Sequence, residues 1–560
     1  RTKSRRYKVA LLSQREHAGG MCSGGLGESD VGSCAERVIG GLTKEFFLRS
    51  AQKYDVKQPR TPWNLEPHVA KQVFLDMLRE ANVTLLPFGE VETVVKNERG
   101  YAESITVPES IAPQESYEYF AEVFIDASYE GDLMARTPDV DYTWGRESFH
   151  KYRESGAGSH GQSRMGDFPV GVRIDPYYDG RTAVDGEDEN KHIDKVKEKV
   201  LLHLLSPEPP KPRGQSDRQI QSYNFRLCVT NNETMRVPFT RPANYNVNEW
   251  ELLRRFWHAW WRSSPNPNAT DKDTTYNHWK REQAKVPTQI LGQLPSSIDG
   301  YKKYDANNCG YNLVHTDMIG ASWDYPEANY SHRRAIWQAH VDYTKGWLWT
   351  MSSDPSVPFW VRFQFRNLWG YCRDEFVDND HFPTQLYVRE ARRLVGDRVF
   401  TQHDAQQQGR HVLGNASVGM GCYGFDSHCE ERYACTDPEQ CTTYKVPYVS
   451  WQCGSDVPDP GIYQMPMWVL FPKKRQVKNL LVPVCNSASH VAYSTLRMEP
   501  QFMMLGHASG VIAALTIFND VEDRNKDRAR ATAVQAVDHN QVAALLLADG
   551  QILSLSNAPK

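Results

Sequence analysis

The stretch His17-Ala18-Gly19-Gly20-Met21-Cys22-Ser23-Gly24-Gly25-Leu26-Gly27 carries five glycines within nine residues. Such a run suits neither a helix nor a central strand, but it suits a backbone that bends sharply or approaches another group closely. Residues 8–12 before it predict a short buried strand, and residues 38–54 after it predict a helix with Val38, Leu42 and Phe46 on one face. A strand, a glycine-rich loop and a helix in this order commonly hold a phosphate or a flat cofactor.

Three motifs resemble the second strand and following loop of FAD-dependent oxidoreductases of the glutathione-reductase type. They are Gly19-Gly20-Met21, residues 23–27 and Ile39-Gly40-Gly41. Within these oxidoreductases the sequence is most similar to the flavin portion of heterodisulfide reductases. The resemblance extends over most of the chain. It implies an α/β fold, in which a FAD/NAD(P)-binding, Rossmann-like doubly wound domain carries a large inserted, mainly helical α+β substrate domain. It also implies that a strand, a Gly-x-Gly-x-x-Gly turn and a helix precede Arg1, so we expect the sequence to be a fragment.

The same resemblance implies noncovalently bound FAD and assigns cofactor contacts to three segments. Ser13 stands where the family often has an acidic residue for the adenosine ribose. The apolar run that ends in Asp126-Ala127 looks like a second nucleotide-contact strand, and the helix from Gln501 to about Asn519 points its positive end at the flavin. The expected cofactor contacts are Ser13, Gly19, Gly20, Met21, Gly24, Gly25 and Gly27; Asp126, Ala127 and Gly131; and Ser487, Ser489, Met498, Gly506 and Gly510.

Candidate catalytic residues are side chains that can move a proton or stabilise an anion. Histidine titrates near neutrality, and arginine holds carboxylates or phosphates. The candidates are His340, His381, His403, His428 and His490 for proton handling, and Arg389 and Arg497 for anion stabilisation. We expect Arg389 and Arg393 to share a helical face, with surface ion pairs to Glu390 and Asp397 as the alternative. His340 lies on an apolar stripe, a position that also suits a core histidine.

Domain organisation follows from composition and from the order of these segments. The first part of the FAD-binding domain is expected at residues 1–135, the inserted substrate domain at 136–400 and a cysteine-rich segment on the active-site side at 401–470. The FAD-binding domain is expected to return at 471–525, followed by a C-terminal tail at 526–560. Proline-rich residues 206–213 predict a stiff connector inside the insertion.

Composition and net charge limit which kinds of binding partner the sequence predicts. The chain has 560 residues, a net charge of −4 and 24% charged residues, which gives no electrostatic case for nucleic acid. The longest apolar run, residues 502–518, is interrupted by Gly506, His507, Ser509 and Gly510, so no transmembrane segment is expected. The expected partner is a small-molecule substrate, and nothing in the sequence indicates an oligomeric state.

Five of the eleven cysteines crowd one region, at Cys422, Cys429, Cys435, Cys441 and Cys453, and no two are spaced as C-x-x-C. This spacing disfavours an iron–sulfur cluster or a structural zinc site. It fits a disulfide-stapled loop in an exported protein, and it also fits free thiols in a cytoplasmic one. Secreted and cytoplasmic locations therefore both stay open.

The first functional hypothesis is a FAD-dependent oxidoreductase that transfers a hydride or electrons between the flavin and an unidentified substrate. The alternatives are a degenerate, non-catalytic flavoprotein fold that acts as a binding module, and an iron–sulfur-linked component of electron transfer. A hydrolase or lyase is disfavoured because the sequence has no G-x-S-x-G elbow.

Overall fold

A computed structural model describes most of the chain. The described residues are 7–13, 18–31, 34–54, 63–87, 90–108, 116–159, 174–178, 200–262, 291–296, 300–308, 314–406, 416–435, 448–452, 457–524 and 532–558. Two of the clustered cysteines, Cys441 and Cys453, fall outside these ranges.

The N-terminal part has an α/β pattern. Strand β1 (Ala10–Ser13) runs parallel to β2 (Thr84–Pro87), with Ala10 opposite Thr84. The helices described between these strands in the sequence are α1 (Gly20–Gly24), α2 (Ala35–Val38), α3 (Gly41–Ala51) and α4 (Pro67–Glu80). The helix α4 begins with Pro67 in its first turn and buries Val69 and Val73.

Helix α3 differs in phase from the sequence-based expectation. Leu42 is 44% exposed, so its assignment to the buried face was wrong, whereas Phe46 and Phe47 are buried. The cause is a break before the helix, because Ile39 and Gly40 are extended and Gly41 has φ +56°. A fresh helix start at Gly41 rotates the apolar stripe toward Phe46 and Phe47.

An antiparallel three-stranded sheet follows, made of β3 (Thr93–Lys96), β4 (Ala102–Pro108) and β5 (Ser116–Phe120). Strand β6 (Phe124–Ile125) then pairs in parallel with the distant β20 (Leu480–Leu481). Leu12 of β1 packs on the core that contains Phe124 and Leu480, so the two parallel strand pairs share one hydrophobic cluster. Segments from near the start of the chain and from residues around 480 therefore pack in one hydrophobic core.

The middle of the chain builds a second core. The elements in chain order are α5 (Asp132–Arg136), β7 (Tyr142–Thr143), α6 (Phe149–Tyr152), β8 (Tyr177–Tyr178), β9 (Val200–Leu201), β10 (Leu227–Thr230), β11 (Arg236–Val237), α7 (Glu251–Arg262), β12 (Leu291–Leu294), β13 (Lys303–Ala306), α8 (Tyr330–Ser353), α9 (Phe359–Phe363) and β14 (Gly370–Cys372). The main sheet is antiparallel and has the strand order β11-β14-β10-β13-β12. Buried aromatic rings, among them Trp250, Trp257 and Trp347, fill the space between this sheet and the long helix α8.

The C-terminal part packs helices on short sheets. The elements are β15 (Arg393–Leu394), α10 (Gln402–Ala405), β16 (Ser417–Gly421), β17 (Glu431–Cys435), β18 (Tyr448–Gln452), β19 (Tyr463–Pro466), β20, α11 (His490–Leu496), α12 (Glu499–Arg524) and α13 (His539–Ala548). Strand β16 pairs with β19, and β17 pairs with β18, both antiparallel. Helix α12 crosses this region and buries Leu505, Ala508 and Ile512.

One described helix is long and apolar enough to cross a membrane. It is Glu499–Asn519 within α12, with a mean hydropathy of 1.5 over the most apolar window, half of which is buried inside the protein. A core helix passes the same test, and the buried stripe of α12 is a core stripe.

Candidate functional site

The glycine-rich corner folds as a tight helical turn. Gly19 and Gly20 have φ +103° and +53°, values that side-chain-bearing residues rarely adopt, and the short helix α1 follows. The Met21 amide donates to the Tyr129 hydroxyl at 2.9 Å. A Cβ atom at Gly20 would collide with that same hydroxyl, and one at Gly25 would lie 2.8 Å from the Arg226 carbonyl oxygen. These glycines therefore permit close approach of other parts of the protein.

The second corner is the turn after β6. One Asp126 oxygen accepts the Ser128 amide at 3.1 Å and the Ser128 hydroxyl at 2.6 Å, and the other accepts the Met134 amide at 2.8 Å. Burial raises the pKa of Asp126. Gly131 starts α5 with φ +69°. The turn thus holds Ala127 and Tyr129 in fixed positions, with Asp126 as an internal cap.

The third corner is the loop between β20 and α12. The Ser487 hydroxyl donates to the Arg398 carbonyl at 2.7 Å, and the Ser489 hydroxyl caps α11 and donates to Glu154 at 2.5 Å. Both hydroxyls are hydrogen-bonded within the protein, so these two residues could contact a cofactor only through their backbone atoms. Met498 is buried, whereas a Cβ atom at Gly506 or Gly510 would meet open space.

Tyr129 joins the three corners. Its hydroxyl accepts from the Met21 amide and donates to the Glu499 carboxyl at 2.7 Å. Burial raises the pKa of Glu499 to about 7, although the hydrogen bond from Tyr129 opposes the shift. The corner at the start of the chain and the corner near its end are therefore linked by one shared side chain.

A polar centre lies beside this junction, built around His428. Its Nδ1 atom is 2.9 Å from Asp317 Oδ2, and its Nε2 atom is 3.4 Å from Asp426 Oδ2. Burial and the nearby Arg389 lower the pKa of His428, but Asp426 and Asp317 raise it by more, so it ends above its ordinary value of 6.5. The imidazole is thus held between two carboxylates and favours its protonated form.

Two buried arginines complete the centre. Arg389 Nη2 donates to Asp317 at 3.0 Å, and Arg497 Nη2 donates to Asp426 at 2.8 Å. Arg497 also donates to the Tyr387 hydroxyl at 3.2 Å, and Tyr387 packs on Met21 and Leu26 of the glycine-rich corner. We define the polar centre as Asp317, Arg389, Asp426, His428 and Arg497.

The polar centre has unmet hydrogen-bonding capacity. The Nε atoms of Arg389 and Arg497 are buried and have no hydrogen-bond partner in the part of the chain that the structure describes. Buried donors left unpaired are costly, so an acceptor supplied by a ligand would stabilise them. Other buried arginine nitrogens of the described residues, such as Arg432 Nε, are unpaired as well. A flat, carbonyl-bearing ring such as a flavin fits such donors, because its oxygen and nitrogen atoms accept hydrogen bonds.

The other four candidate histidines lie outside the polar centre. His340 is a core residue with Nδ1 2.8 Å from the Ile336 carbonyl, and burial lowers its pKa to about 4. His490 contacts Glu147 at 2.8 Å. His381 and His403 each contact a backbone carbonyl, of Glu375 and Arg153 respectively. Of the expected catalytic residues, the structure therefore brings together His428, Arg389 and Arg497.

Arg389 and Arg393 do not share a helix, so that prediction was wrong. The segment is extended, with an isolated bridge between Asn224 and Tyr387 and with Arg393 in the strand β15. The surface location in the ion-pair alternative was wrong as well, because both arginines are buried. Its pairing with Glu390 is found inside the protein, where Arg393 Nη1 lies 3.8 Å from Glu390 Oε2. Arg393 pairs with Glu147 at 2.8 Å, away from the partner of Arg389.

Sequence reasoning assigned no role to Asp317, Tyr129 or Glu499. Each acts through a contact with a residue more than 70 positions away, such as Asp317 with Arg389. The one local signal was the neighbourhood of Glu499, which directly follows the expected cofactor residue Met498.

A cluster of possible metal ligands lies elsewhere, formed by Glu66, His68, Asp374 and Glu375. The Lys303 ammonium already sits among them, 2.5 Å from Glu66 and from Asp374 and 3.1 Å from Glu375. A resident cation of the protein thus neutralises these carboxylates, and the cluster functions as a buried charge network.

The cysteines form disulfides where the structure describes them in the crowded region. Cys34 is bonded to Cys422, and Cys429 and Cys435 are disulfide-bonded too. Of the two possibilities that the sequence left open for this region, disulfides are the one found. Cys22, Cys228, Cys372 and Cys485 are buried free thiols.

Comparison with known proteins gives one result. The model of the family described as "FAD dependent oxidoreductase" matches residues 3–536. No curated protein and no solved structure matches the chain. The family match covers nearly the whole length, FAD is the cofactor of the family, and its members have a Rossmann-like α/β fold. The chain therefore belongs to the FAD-dependent oxidoreductase family.

Proposed function

We propose that the protein transfers a hydride or electrons between bound FAD and a small-molecule substrate, and that the polar centre is where the substrate reacts. The observation that carries the proposal is the position of His428. It is held between Asp317 and Asp426, and Tyr387 connects its neighbour Arg497 to the glycine-rich corner. A proton-handling group beside a cofactor corner is what flavin redox chemistry requires of the protein.

FAD would be held by the three corners. The backbone of residues 18–27, the turn 126–131 and the segment 485–510 would line the cofactor, on sides other than those where Gly20 and Gly25 meet Tyr129 and Arg226. The unpaired Nε atoms of Arg389 and Arg497 would donate to the flavin ring. The bound flavin supplies the two-electron chemistry. The residues of this chain bind, orient and manage protons.

His428 would hold or release a proton at Nε2. Its Nδ1 atom is fixed by Asp317, which also accepts from Arg389 and Asn308, so the ring cannot turn freely. Asp426 is about one-third exposed and lies next to Nε2, so it offers a route between the imidazole and solvent. Arg497 anchors Asp426 in that position.

The two arginines would stabilise negative charge that develops on the substrate. Both are buried, and a charge-assisted hydrogen bond in a water-poor site is stronger than one in solution. Asp317 and Asp426 keep the centre close to neutral before the substrate binds, so the arginines do not attract anions indiscriminately.

The test replaces His428 and Asp426 in the flavin-loaded protein. We expect H428Q to retain flavin absorbance near ~450 nm and to lose about 10²- to 10⁴-fold in the rate of substrate-dependent flavin reduction. In D426N the carboxylate that raises the pKa of His428 is gone, so the inflection of the rate–pH profile moves to lower pH. R373Q, at an exposed arginine outside the centre, serves as the control.

Two outcomes would contradict the proposal. A folded protein that purifies without colour would show that it holds no flavin. Unchanged flavin reduction in H428Q, at wild-type flavin content, would place the chemistry away from the polar centre.

A further inference from the structure

Two cavities adjoin on the face formed by residues 143–157 and 211–218. Their volumes are about 790 Å³ and about 360 Å³. Ser148, Lys211 and Ser216 line both, so the two are parts of one elongated depression. We call it the basic trough. Its size suits a ligand larger than a single sugar or amino acid.

The basic trough carries an excess of positive charge. Lys151, Lys211 and Arg218 line it and have no carboxylate partner among the residues that the structure describes. Lys211 donates to the Ser216 carbonyl, and Arg218 stacks on the Trp144 ring, with 3.9 Å from the guanidinium carbon to the ring centre. Within the described ranges, therefore, no carboxylate neutralises their charges.

The two acids in the lining do not cancel this charge. Asp217 is held by Arg146 through two hydrogen bonds, at 2.9 and 2.5 Å. Glu147 is paired with the buried Arg393 at 2.8 Å. Since each acid already has its own arginine, the trough presents a positive potential on a chain whose net charge is −4.

Hydroxyl groups and aromatic rings complete the lining. Ser148, Ser155 and Ser216 offer hydroxyls, and Phe149 is 39% exposed at the edge. Cations spaced along a surface, with hydroxyls and ring faces between them, suit a long polyol with scattered carboxylates. A compact phosphate group is recognised differently, usually by a cluster of backbone amides or by paired arginines.

A chain of buried contacts leads from the trough to the polar centre. Arg146 lines the trough, and its Nη1 atom is 3.8 Å from Glu430 Oε2. Glu430 accepts from the Ser427 hydroxyl at 2.7 Å, and Ser427 directly precedes His428. The floor of the trough and the base of the polar centre are thus connected through Glu430.

We propose that the basic trough binds an acidic sugar chain, whose carboxylates pair with Lys151, Lys211 and Arg218. Its assignment as the substrate of this oxidoreductase rests on the proposed function, whereas binding itself does not. The trough would hold the part of the chain that does not react and would select for charge.

The test is calorimetric titration of the flavin-loaded protein with three probes. They are tetragalacturonate, the neutral maltotetraose of equal length, and tripolyphosphate. We expect tetragalacturonate to bind, with an affinity that falls as salt rises, and the other two to bind at least about tenfold more weakly. The double variant K211Q/R218Q should lose about tenfold or more in affinity for tetragalacturonate.

The control variant K302Q/R373Q removes one exposed lysine and one exposed arginine, which flank strands β13 and β14 of the antiparallel sheet, and should bind as the wild type does. Flavin content and melting temperature establish that each variant is folded. Equal affinity for maltotetraose, tighter binding of tripolyphosphate, or full affinity in K211Q/R218Q would each overturn the proposal.

The two proposals fail separately. H428Q should bind tetragalacturonate normally and yet fail to reduce its flavin. If H428Q kept full activity while K211Q/R218Q lost affinity for tetragalacturonate, the proposed role of the polar centre would be wrong. The proposed binding site in the basic trough would still be supported.

Discussion

At the scale of single residues, the carboxyl of Glu499 has the most unusual position. It is buried at the junction of the three corners, its partner is the Tyr129 hydroxyl, and the buried Cys22 is a further titratable neighbour. A carboxyl there is more easily kept neutral than charged, because the charged form would lose its hydration. Its pKa of about 7 places this cost within the physiological range.

Glu499→Gln should therefore change how stability depends on pH. A carboxyl whose pKa is raised by folding contributes full stability below its unfolded pKa, near 4.5, and loses it as pH rises through 7. We expect E499Q to match the wild type at pH 5 and to exceed its free energy of unfolding at pH 8 by about 1–3 kcal/mol. Melting temperatures measured across this range check the prediction.

The conservative variant Tyr129→Phe serves as the comparison. It leaves the Met21 amide without its acceptor, so it should lower stability at both pH values. If the difference between E499Q and the wild type did not grow with pH, Glu499 would be ionised in the folded protein.

Single residues show where sequence reasoning stops. The polar centre contains three of the expected catalytic residues, Arg389, His428 and Arg497, which the chemistry of their side chains made candidates. The residues that sequence reasoning missed have roles that come from contacts between positions far apart in the sequence. Tyr129 contacts Met21 across 108 positions and Glu499 across 370, and no local pattern encodes such a pair.

At the scale of elements, long periodic segments were predictable. The apolar stripe of α8, which contains Tyr343, Trp347 and Met351, is buried as its period indicates. The segment 387–394 was not predictable from the spacing of its arginines. Residues four apart share a side of a strand as well as a face of a helix, because four is a multiple of two, so the spacing of Arg389 and Arg393 could not decide between them.

Helix α12 offers a test of the cofactor placement at this scale. Gly510 is exposed within a long helix, and a Cβ atom added there would touch nothing in the described residues. Gly510→Ala should thus raise the stability of the flavin-free protein by about 0.5–1 kcal/mol, because alanine favours the helix. If the helix faces FAD as proposed, the same methyl group should weaken flavin retention.

The expected signature is that the two readouts move in opposite directions. The melting temperature of the flavin-free protein rises, and the flavin-to-protein absorbance ratio after gel filtration falls. Ala514→Gly, one turn further along, reverses the helix effect without adding a group and should lower stability at unchanged flavin content. A G510A variant with full flavin content would move the cofactor away from this face of α12.

At the scale of the whole molecule, one covalent bond ties distant parts of the chain. The disulfide Cys34–Cys422 spans 388 residues. Cys34 follows the glycine-rich corner, and Cys422 precedes Tyr423, whose carbonyl accepts from Thr495. The bond therefore fixes the glycine-rich corner against the segment that leads to Asp426 and His428.

Loss of this disulfide should loosen the cofactor site and reduce global stability together. Closing so long a loop constrains the unfolded chain, and removing a native disulfide typically costs about 2–5 kcal/mol. We expect the variant Cys34→Ser/Cys422→Ser to melt at a lower temperature and to release FAD faster, as measured by the return of free-flavin fluorescence. Wild-type protein treated with a phosphine reductant should behave in the same way once mass spectrometry shows free thiols at both positions.

The reductant can also reduce the disulfides of Cys429 and Cys435. The double variant is therefore needed to separate the effect of the Cys34–Cys422 bond on flavin release from the effect of those other disulfides. Reductant added to the double variant reports only on those other bonds, and the difference from reduced wild type belongs to Cys34–Cys422. Because this bond joins the glycine-rich corner to the segment that leads to the polar centre, flavin release should respond more to it than to the other bonds. Flavin release that stays at the wild-type rate in the double variant would mean that packing alone, chiefly Tyr387 against Met21 and Leu26, holds these two segments together.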